Sequence, residues 1–346
     1  MPVTASLREQ LTTAGGEWEA FGDRTDVASF GNVDAEYAAM HQAVGLVVLV
    51  DRTQVVLTGR DRATFLHSFC TNDIRGLSPG QGREAFVCNV QGKMLGHVLV
   101  FCQDDALLLE TVPGQAERLI KHLDRYLIRE QVELHDRSRD KSELLLAGPQ
   151  SEELLGRLGV ATLPAERLSH SSAMLAGCDV QVCRVDMVRP PAILLSMGCA
   201  DAATVWKALA DAGAKPCGQG AFEAARIEAD WPWYGQDITD ENLPQEIARD
   251  AQAISFTKGC YLGQETVARI DALGHVNKLL CGVRFDGAAP PELGTPLSAG
   301  GKEIGRVTSA AWSPRSSTVV ALAFLRRGSH QPGQRLESAV GTGEVV

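Results

Sequence analysis

The stretch FTKGCYLGQE, residues 256–265, is the most informative segment of the chain. Two glycines, Gly259 and Gly263, bracket Cys260 and Tyr261. This spacing suits a turn whose backbone comes close to a ligand or a partner, because glycine carries no side chain that would prevent the approach. The segment therefore predicts a turn that presents a cysteine.

Lys258 stands two residues before Cys260. An ammonium held near a thiol favours the thiolate, which is the form that acts as nucleophile or metal ligand. Gln264-Glu265 can begin the next helix, and free N–H groups at its start would lower the pKa of the thiol further. Cys260 and Lys258 are therefore the candidate catalytic residues. The alternative is a buried loop cysteine, with Lys258 extending its ammonium to water.

The sequence before this loop repeats one order of elements, two strands followed by a helix. A hairpin over residues 85–101 precedes an amphipathic helix over residues 116–127. Two further strand signals lie within residues 180–197, and Asp201 begins another helix. The connections are antiparallel rather than regular parallel crossovers, so the pattern predicts two related α+β halves.

The pattern of residue types changes after Gly274. Short β-like runs alternate there with turns such as Ala289-Pro290-Pro291, and five or six short strands in about 70 residues suggest a small barrel. The first 35 residues are polar and loosely patterned. The predicted units are an N-terminal segment, two halves of one domain and a C-terminal barrel, at residues 1–40, 41–140, 141–273 and 274–346.

The composition limits the function classes. The 346 residues carry 33 Lys and Arg against 43 Asp and Glu, a formal net charge of −10 at pH 7. This balance argues against strong direct nucleic-acid binding and against a protein that coats anionic membrane. No apolar run is long enough to cross a bilayer, and no secretory signal is visible. The nine cysteines lack metal-ligand spacing, which favours reduced thiols in a cytoplasmic protein without a metal site of its own.

Residues 258–265 match Lys-Gly-Cys-Tyr-x-Gly-Gln-Glu, in which seven of eight residues are fixed. This pattern resembles the signature of the YgfZ family of folate-binding iron–sulfur-cluster maturation proteins. Gly274-His275-Val276-Asn277-Lys278 is similar to a later segment of the same family. Besides Lys258 and Cys260, the candidate residues of the motif loop are Gly259, Tyr261, Gly263, Gln264 and Glu265.

Most of the chain resembles the glycine-cleavage T-protein, an aminomethyltransferase. Lys215-Pro216-Cys217-Gly218-Gln219-Gly220 and Ala225-Arg226-Ile227-Glu228-Ala229 are similar to the T-protein segment Lys-Pro-Cys-Gly-x-Gly leading into Arg-Leu-Glu-Ala-Gly. Tyr234-Gly235-Gln236 continues the match. The resemblance implies an α+β fold, a ring of two related, ferredoxin-like α+β parts and a small C-terminal β-barrel around a central channel of folate size.

The resemblance also implies tetrahydrofolate or a derivative as cofactor. Five residues are candidates to contact it: Arg226, Glu228, Trp231, Tyr234 and Glu110. An arginine can clamp the glutamate tail of a folate, and aromatic rings can stack on a pterin. The alternatives are an ordinary ion pair for the charged residues and core or turn packing for the aromatic ones. Glu110 stands near the position of a folate-contacting asparagine in the T-protein.

Two segments depart from the T-protein pattern. Where the T-protein strand carries paired aspartates, one of them the catalytic acid, this chain has Gly96-His97. A histidine cannot replace a carboxylate that holds a cationic amine, so His97 is expected to be structural. The pterin-binding glutamate has no counterpart in residues 185–195, where Asp186 and Arg189 are the available substitutes. These departures disfavour aminomethyl transfer.

Three functions stay open, and whether the protein is an enzyme stays open with them. The first is a folate-binding accessory protein for iron–sulfur cluster assembly or repair, acting through Cys260. One cysteine cannot hold a cluster, so a transient cluster would be shared with an iron–sulfur carrier protein or a client iron–sulfur enzyme, including enzymes that modify tRNA. The second is a tetrahydrofolate-dependent aminomethyl- or methyltransferase that uses His97, Asp186 or Glu265 as acid or base. The third is a non-catalytic folate-binding scaffold.

Overall fold

The computed structural model describes residues 3–22 and 24–346, which form two large sheets, a two-stranded hairpin and a closed barrel. None of the helices in these ranges is long and apolar enough to span a membrane. The α-helices are α1 (Ala5–Thr13), α2 (Val33–Gln42), α3 (Arg62–His67), α4 (Ala116–Asp124), α5 (Ser151–Arg157), α6 (Ala202–Asp211), α7 (Gln219–Glu228), α8 (Asp250–Ala253) and α9 (Gln264–Leu273).

The strands of the two large sheets and the hairpin precede the strands of the barrel in the chain. The first group is β1 (Glu17–Phe21), β2 (Arg24–Ser29), β3 (Gly45–Leu49), β4 (Thr53–Thr58), β5 (Gly82–Cys88), β6 (Met94–Cys102), β7 (Ala106–Thr111), β8 (Glu133–Asp136), β9 (Lys141–Ala147), β10 (His170–Leu175), β11 (Cys178–Val185), β12 (Ala192–Gly198) and β13 (Lys215–Cys217). The barrel strands are β14 (Lys278–Phe285), β15 (Pro296–Ala299), β16 (Lys302–Ser313), β17 (Thr318–Arg326), β18 (Arg335–Ser338) and β19 (Gly341–Val345).

The first large sheet has five antiparallel strands in the order β5-β6-β7-β4-β8. Its side chains alternate between two faces, as the period of a strand requires. Ala85 and Val87 belong to a core that α3 and α4 cover, whereas Phe86 and Cys88 belong to a second core in the middle of the molecule. The predicted hairpin over residues 85–101 corresponds to β5 and β6.

The second large sheet has six strands in the order β10-β11-β12-β9-β3-β13. Only β13 runs parallel to its neighbour β3. The outer face shares a core with apolar residues of α1, α5 and α6. Strand β3 lies within residues 41–140 yet pairs with β9, so the division at residue 140 does not follow the sheets.

One continuous core joins the inner faces of both sheets. It takes in residues of α2 and α7 and the aromatic segment Trp231–Tyr234, and its members are buried. Charged and polar side chains that point inward from either sheet are therefore removed from water. This middle layer holds most of the residues expected to contact a ligand.

The C-terminal strands close a barrel in the order β14-β17-β16-β15-β18-β19. Helix α7 packs against β16 and β17, which joins the barrel to the middle layer. The predicted fold class, two α+β parts followed by a small barrel, is confirmed.

The N-terminal segment contains α1, the β1–β2 hairpin and α2, although its sequence shows little pattern. Leu7 and Leu11 of α1 are buried against the outer core of the six-stranded sheet. Two buried leucines in nine residues give a weak helical signal, because most of the apolar surface that α1 contacts comes from distant parts of the chain.

Candidate functional site

Lys258 anchors the motif loop to the residues that follow α3. Its Nζ atom donates hydrogen bonds to the carbonyl oxygens of His67, Cys70 and Asn72, at 2.5, 2.6 and 2.9 Å. Burial lowers the pKa of Lys258 to about 8, and the ammonium form satisfies all three carbonyls with its three N–H bonds. No donor of Lys258 is left for the thiol of Cys260, in contrast to the predicted role.

Gly263 lets the other end of the motif loop contact the turn between β5 and β6. Its φ is 83°, and an added Cβ atom would lie 2.5 Å from the carbonyl oxygen of Asn89 and 2.7 Å from Cα of Gly92. Gly92 faces it with a φ of 76°, and a Cβ atom there would lie 2.8 Å from Cβ of Thr266. At Gly259, apart from the adjacent residues 258 and 260, none of the residues that the structure describes lies within 4 Å of the equivalent position. The close approach that the sequence predicted therefore belongs to Gly263.

Cys260 is exposed between these two fixed points. All nine cysteines lie in the described ranges, and Cys260 is the only one classed as exposed; Cys70 and Cys217 are buried, which raises the pKa of each to about 12. The neighbouring Tyr261 is buried. The alternative of a buried loop cysteine is therefore wrong.

Backbone contacts fix the residues on the C-terminal side of the thiol. The backbone N–H of Leu262 donates to the carbonyl oxygen of Ser68 at 2.8 Å, and that of Tyr261 donates to Oε1 of Gln264 at 3.3 Å. Helix α9 begins at Gln264, as the sequence predicts, and Glu265 is exposed in its first turn. The loop thus holds a surface thiol next to a hydrogen-bonded backbone.

Arg226 lies fully buried in α7 and uses all five of its N–H donors within the protein. Nε and one terminal nitrogen donate to Glu223 at 2.8 and 2.6 Å. The remaining donors go to Asp237, to the carbonyl oxygen of Trp231 and to Oγ of Ser309, at 2.9, 3.1 and 2.8 Å. This geometry joins α7 to the barrel and leaves no donor for the carboxylate tail of a folate.

Glu228 and Tyr234 also make contacts between parts of the fold. Glu228 accepts hydrogen bonds from the hydroxyls of Tyr37 and Ser313, so it connects α2, α7 and the barrel. The hydroxyl of Tyr234 donates to the carbonyl oxygen of Met94 at 3.2 Å, and burial raises its pKa to about 12. Neither side chain presents an unused polar group to a ligand in this arrangement.

Glu110 faces a second carboxyl group between the two sheets. The guanidinium of Arg52 lies 2.5 Å from Glu110, and both side chains are buried. Glu143 projects from β9 of the opposite sheet and accepts a hydrogen bond from Gln54 at 2.5 Å. Burial, followed by the charge of Glu110, raises the pKa of Glu143 well above its ordinary value. Glu110 therefore belongs to a buried pair that joins the sheets.

Glu84 is the centre of a charged cluster at the other end of the middle layer. Nε2 of His97 lies 2.8 Å from its carboxylate, and the guanidinium groups of Arg249 and Arg167 both donate to it. Burial alone would raise the pKa of Glu84, but the hydrogen bonds from Arg249 and His97 outweigh burial and hold the pKa well below its usual range. We call Glu84, His97, Arg167, Asp186 and Arg249 the Glu84 cluster.

The sequence pattern alone does not single out Glu84, Arg167 or Arg249. The available signal is the alternation that places Glu84 two residues before Phe86, just ahead of the hairpin predicted over residues 85–101, whereas the observed strand begins at Gly82. A carboxylate on a buried face needs cationic partners, but the sequence does not say which arginines supply them. Arg167 and Arg249 come from connections far along the chain, and only the fold brings them to β5.

Asp186 is the member of the Glu84 cluster that best fits a ligand. One of its oxygens accepts from Arg167 at 2.8 Å, while the other, Oδ1, is buried without a hydrogen-bond partner in the described part of the chain. The ring of Trp231 lies beside the cluster, 4.6 Å from the guanidinium carbon of Arg249 and 5.2 Å from the centre of the His97 ring. Arg189, the other predicted substitute, is exposed and pairs with Asp230 at 3.3 Å.

The free oxygen of Asp186 and the ring of Trp231 suit the hydrogen-bond donors and the ring of the pterin of a tetrahydrofolate. A pterin presents ring and amino N–H groups, and an orphaned carboxylate oxygen is the acceptor that such groups need. The aromatic side chain beside it supplies apolar surface.

The fold and the site define a protein of the glycine-cleavage T-protein type. The GCVT N-terminal domain matches residues 7–257, and the glycine cleavage T-protein C-terminal barrel domain matches residues 278–346. Together these matches cover more than half of the chain, and the chain therefore belongs to the glycine-cleavage T-protein family.

Individual relatives agree with this assignment. A chloroplastic protein of Arabidopsis thaliana named as a transferase is 28% identical over 330 residues, which are 94% of this chain and 74% of the relative. An aminomethyltransferase of Geobacillus kaustophilus is 28% identical over 324 residues, 92% of this chain and 88% of the relative. The crystal structure of aminomethyltransferase T from Bartonella henselae superimposes with a TM-score of 0.89 at 18% identity, covering 98% of this chain and 95% of that chain, which shows the shared fold.

Proposed function

We propose that this protein binds tetrahydrofolate or a derivative and serves iron–sulfur cluster assembly or repair as an accessory protein, through Cys260. The observation that carries the proposal is the exposed thiol of Cys260 on a loop fixed by Lys258 and Gly263. A thiolate held in this way can ligate iron in a cluster whose other ligands come from a partner. The partners would be iron–sulfur carrier proteins and client iron–sulfur enzymes of the cytoplasm.

The folate part of the proposal is supported by the family, whose aminomethyltransferases use tetrahydrofolate. Asp186 would accept hydrogen bonds from the pterin through its free oxygen, and Arg167, one third exposed, would orient that carboxylate. Trp231 would cover one side of the bound ring. When bound, a reduced folate supplies nitrogen atoms that carry a one-carbon unit.

A tetrahydrofolate-dependent aminomethyl- or methyltransferase is the second candidate, favoured by the names of the relatives. The strand that carries paired aspartates in the T-protein offers Gly96 and His97 here. The imidazole of His97 supplies no carboxylate for the amine of an aminomethyl donor, and the ring is buried against Glu84 and Trp231. The missing carboxylate is why the accessory role is preferred.

The experiment compares cells that lack this protein and receive the wild type, Cys260→Ser or Cys178→Ser. The readout is the activity of an iron–sulfur dehydratase, divided by that of a metal-free enzyme. Cys178 is the matched control because it is only partly exposed and lies outside the motif. We expect Cys260→Ser to fail and Cys178→Ser to restore the ratio. Full restoration by Cys260→Ser would contradict the accessory role and leave the scaffold or the transferase.

Folate binding is tested separately, by titration calorimetry of tetrahydrofolate into the purified protein. Asp186→Asn should weaken binding about tenfold, because one charged hydrogen-bond acceptor is lost. Asp230→Asn is the matched control, since it also removes a carboxylate beside an arginine and asparagine tolerates the positive φ of that position. Equal affinities of the two variants would exclude Asp186 from the folate site without affecting the role of Cys260.

A further inference from the structure

A cleft of about 540 Å³ lies where the C-terminal end of α9 meets the barrel. The Gly274–Lys278 segment, which the sequence singled out and the proposed function does not use, forms part of its wall. The lining residues come from the α8 region, from α9 and from the connection after β17, and they include Gln245, Asp250, Asp271, His275, Arg327 and His330. A volume of this size suits a small-molecule ligand.

Three polar atoms on this wall are buried and have no hydrogen-bond partner among residues 3–22 and 24–346. They are Oε1 of Gln245, Oδ1 of Asp250 and Nδ1 of His330. Gln245 is 7% exposed, and its amide nitrogen donates to the carbonyl oxygen of Val267 at 2.7 Å. That bond fixes the amide, so its oxygen is held as an unused acceptor. A buried acceptor without a partner costs about 1–3 kcal/mol, which a bound donor would recover.

The charges around the cleft favour a cation. Asp250 and Asp271 both line it, and burial, followed by the charge of Asp271, raises the pKa of Asp250 to about 6. Helix α9 ends here at Leu273, and the C-terminus of a helix carries partial negative charge. Arg327 is the arginine on the same wall, and it is exposed. At neutral pH the inner wall therefore presents acceptors and a carboxylate.

A metal ion does not fit this set of ligands. In the described ranges no group of three or more His, Cys, Asp and Glu side chains could hold a metal. Nδ1 of His275 contacts the carbonyl oxygen of Leu273 at 2.9 Å, which occupies that nitrogen. A primary ammonium group carries three N–H donors, and the wall offers two acceptors for them, the amide oxygen of Gln245 and the carboxylate oxygen of Asp250.

We propose that this cleft binds the primary ammonium group of a small organic cation. Gln245 and Asp250 accept hydrogen bonds from the ammonium, and Asp271 lies on the same wall to attract a second positive charge. The site is separate from Cys260, which does not line the cleft. The inference does not depend on folate binding or on a role in iron–sulfur cluster assembly.

The test is titration calorimetry with putrescine as the probe, at neutral pH and low salt. We expect saturable binding to the wild type and about tenfold weaker binding to Asp250→Asn, because a charged hydrogen bond is lost. Gln245→Met keeps the length of the side chain, removes the orphaned oxygen and should also weaken binding. Tetramethylammonium, which has the charge but no N–H donor, and neutral 1,4-butanediol should not bind. Circular dichroism establishes that each variant is folded.

Asp211→Asn is the control for net charge, because Asp211 is an exposed carboxylate on α6 that pairs with Lys207. It should bind putrescine as the wild type does. The proposal is overturned if millimolar putrescine gives no saturable signal, or if Asp250→Asn and Asp211→Asn bind equally. Binding of tetramethylammonium with the affinity of putrescine would also overturn it, since hydrogen bonds from the ammonium would then contribute nothing.

Discussion

Several residues of the KGCYLGQE motif make structural contacts that its sequence does not reveal. Lys258 binds three carbonyl oxygens, Tyr261 is buried and Gly263 makes room for a neighbouring turn. The thiol of Cys260, in contrast, is exposed and has no structural contact of this kind with the described residues. A motif can therefore be specific because several residues are needed to position one.

Replacement of Lys258 by methionine separates its structural role from the predicted activation of the thiol. The variant loses three hydrogen bonds from a charged donor, and we expect the free energy of unfolding to fall by about 2–4 kcal/mol in urea titrations. The rate at which iodoacetamide labels Cys260 in the native protein should stay within about twofold of wild type, because no donor of Lys258 serves the sulfur. Lys93→Met, at an exposed lysine, is the control. A large fall in the labelling rate would restore Lys258 as the activating residue.

At the scale of elements, the contact between α9 and the β5–β6 turn depends on two glycines. Gly263→Ala forces a left-handed φ on a residue with a side chain and places Cβ against the backbone of Asn89 and Gly92. We expect thermal unfolding to report a loss of about 1–3 kcal/mol from backbone strain, and more from the clash. Gly259→Ala, in the same motif, meets no neighbour and should keep the wild-type melting temperature. If both variants melt alike, the close approach does not limit stability.

Local pattern was sufficient to predict some elements and insufficient for others. The hairpin, the helix at Gln264 and the barrel strands follow from alternation, turn residues and helical spacing, which neighbouring residues determine. The position of β3 in the six-stranded sheet does not follow from local pattern, because its partners β9 and β13 lie far along the chain. The same limit applies to the site: the motif predicts Cys260, whereas the arginines that donate to Glu84 come from elements that only the fold brings together.

At the scale of the whole molecule, Glu84 makes the stability of the fold sensitive to acid, because its carboxylate connects β5 to distant arginines. The folded pKa of Glu84 lies below the ordinary value of 4.5, so its stabilising contribution is present above pH 4.5 and is lost as the pH falls below that value. We expect the free energy of unfolding to drop in this range, followed by tryptophan fluorescence in urea titrations. Glu84→Gln should be less stable at neutral pH, since Arg249 and Arg167 lose a charged partner, and should show a smaller acid slope. A slope identical to wild type would exclude Glu84 as its source.

The pH dependence of stability that Glu143 contributes has the opposite sign to that of Glu84. Its folded pKa is raised above 4.5, so the stability of the protonated carboxyl is complete below pH 4.5 and is lost as the pH rises through the folded pKa. Glu143→Gln, which keeps the shape and cannot ionise, should therefore match or exceed wild-type stability at neutral pH and lose that advantage in acid. Urea titrations across this pH range measure the difference. A strong loss of stability at neutral pH would mean that the carboxylate form is needed by Arg52.

The position of β3 between β9 and β13 has a consequence for how the polypeptide is made. β3 emerges from the ribosome early, while β13 follows much later, and at roughly 5–20 residues per second the interval is on the order of ten seconds. During that time the apolar run Gly45–Leu49 has no completed sheet to enter. We therefore expect this strand to be shielded, by transient burial or by a chaperone, until the second half has been synthesised.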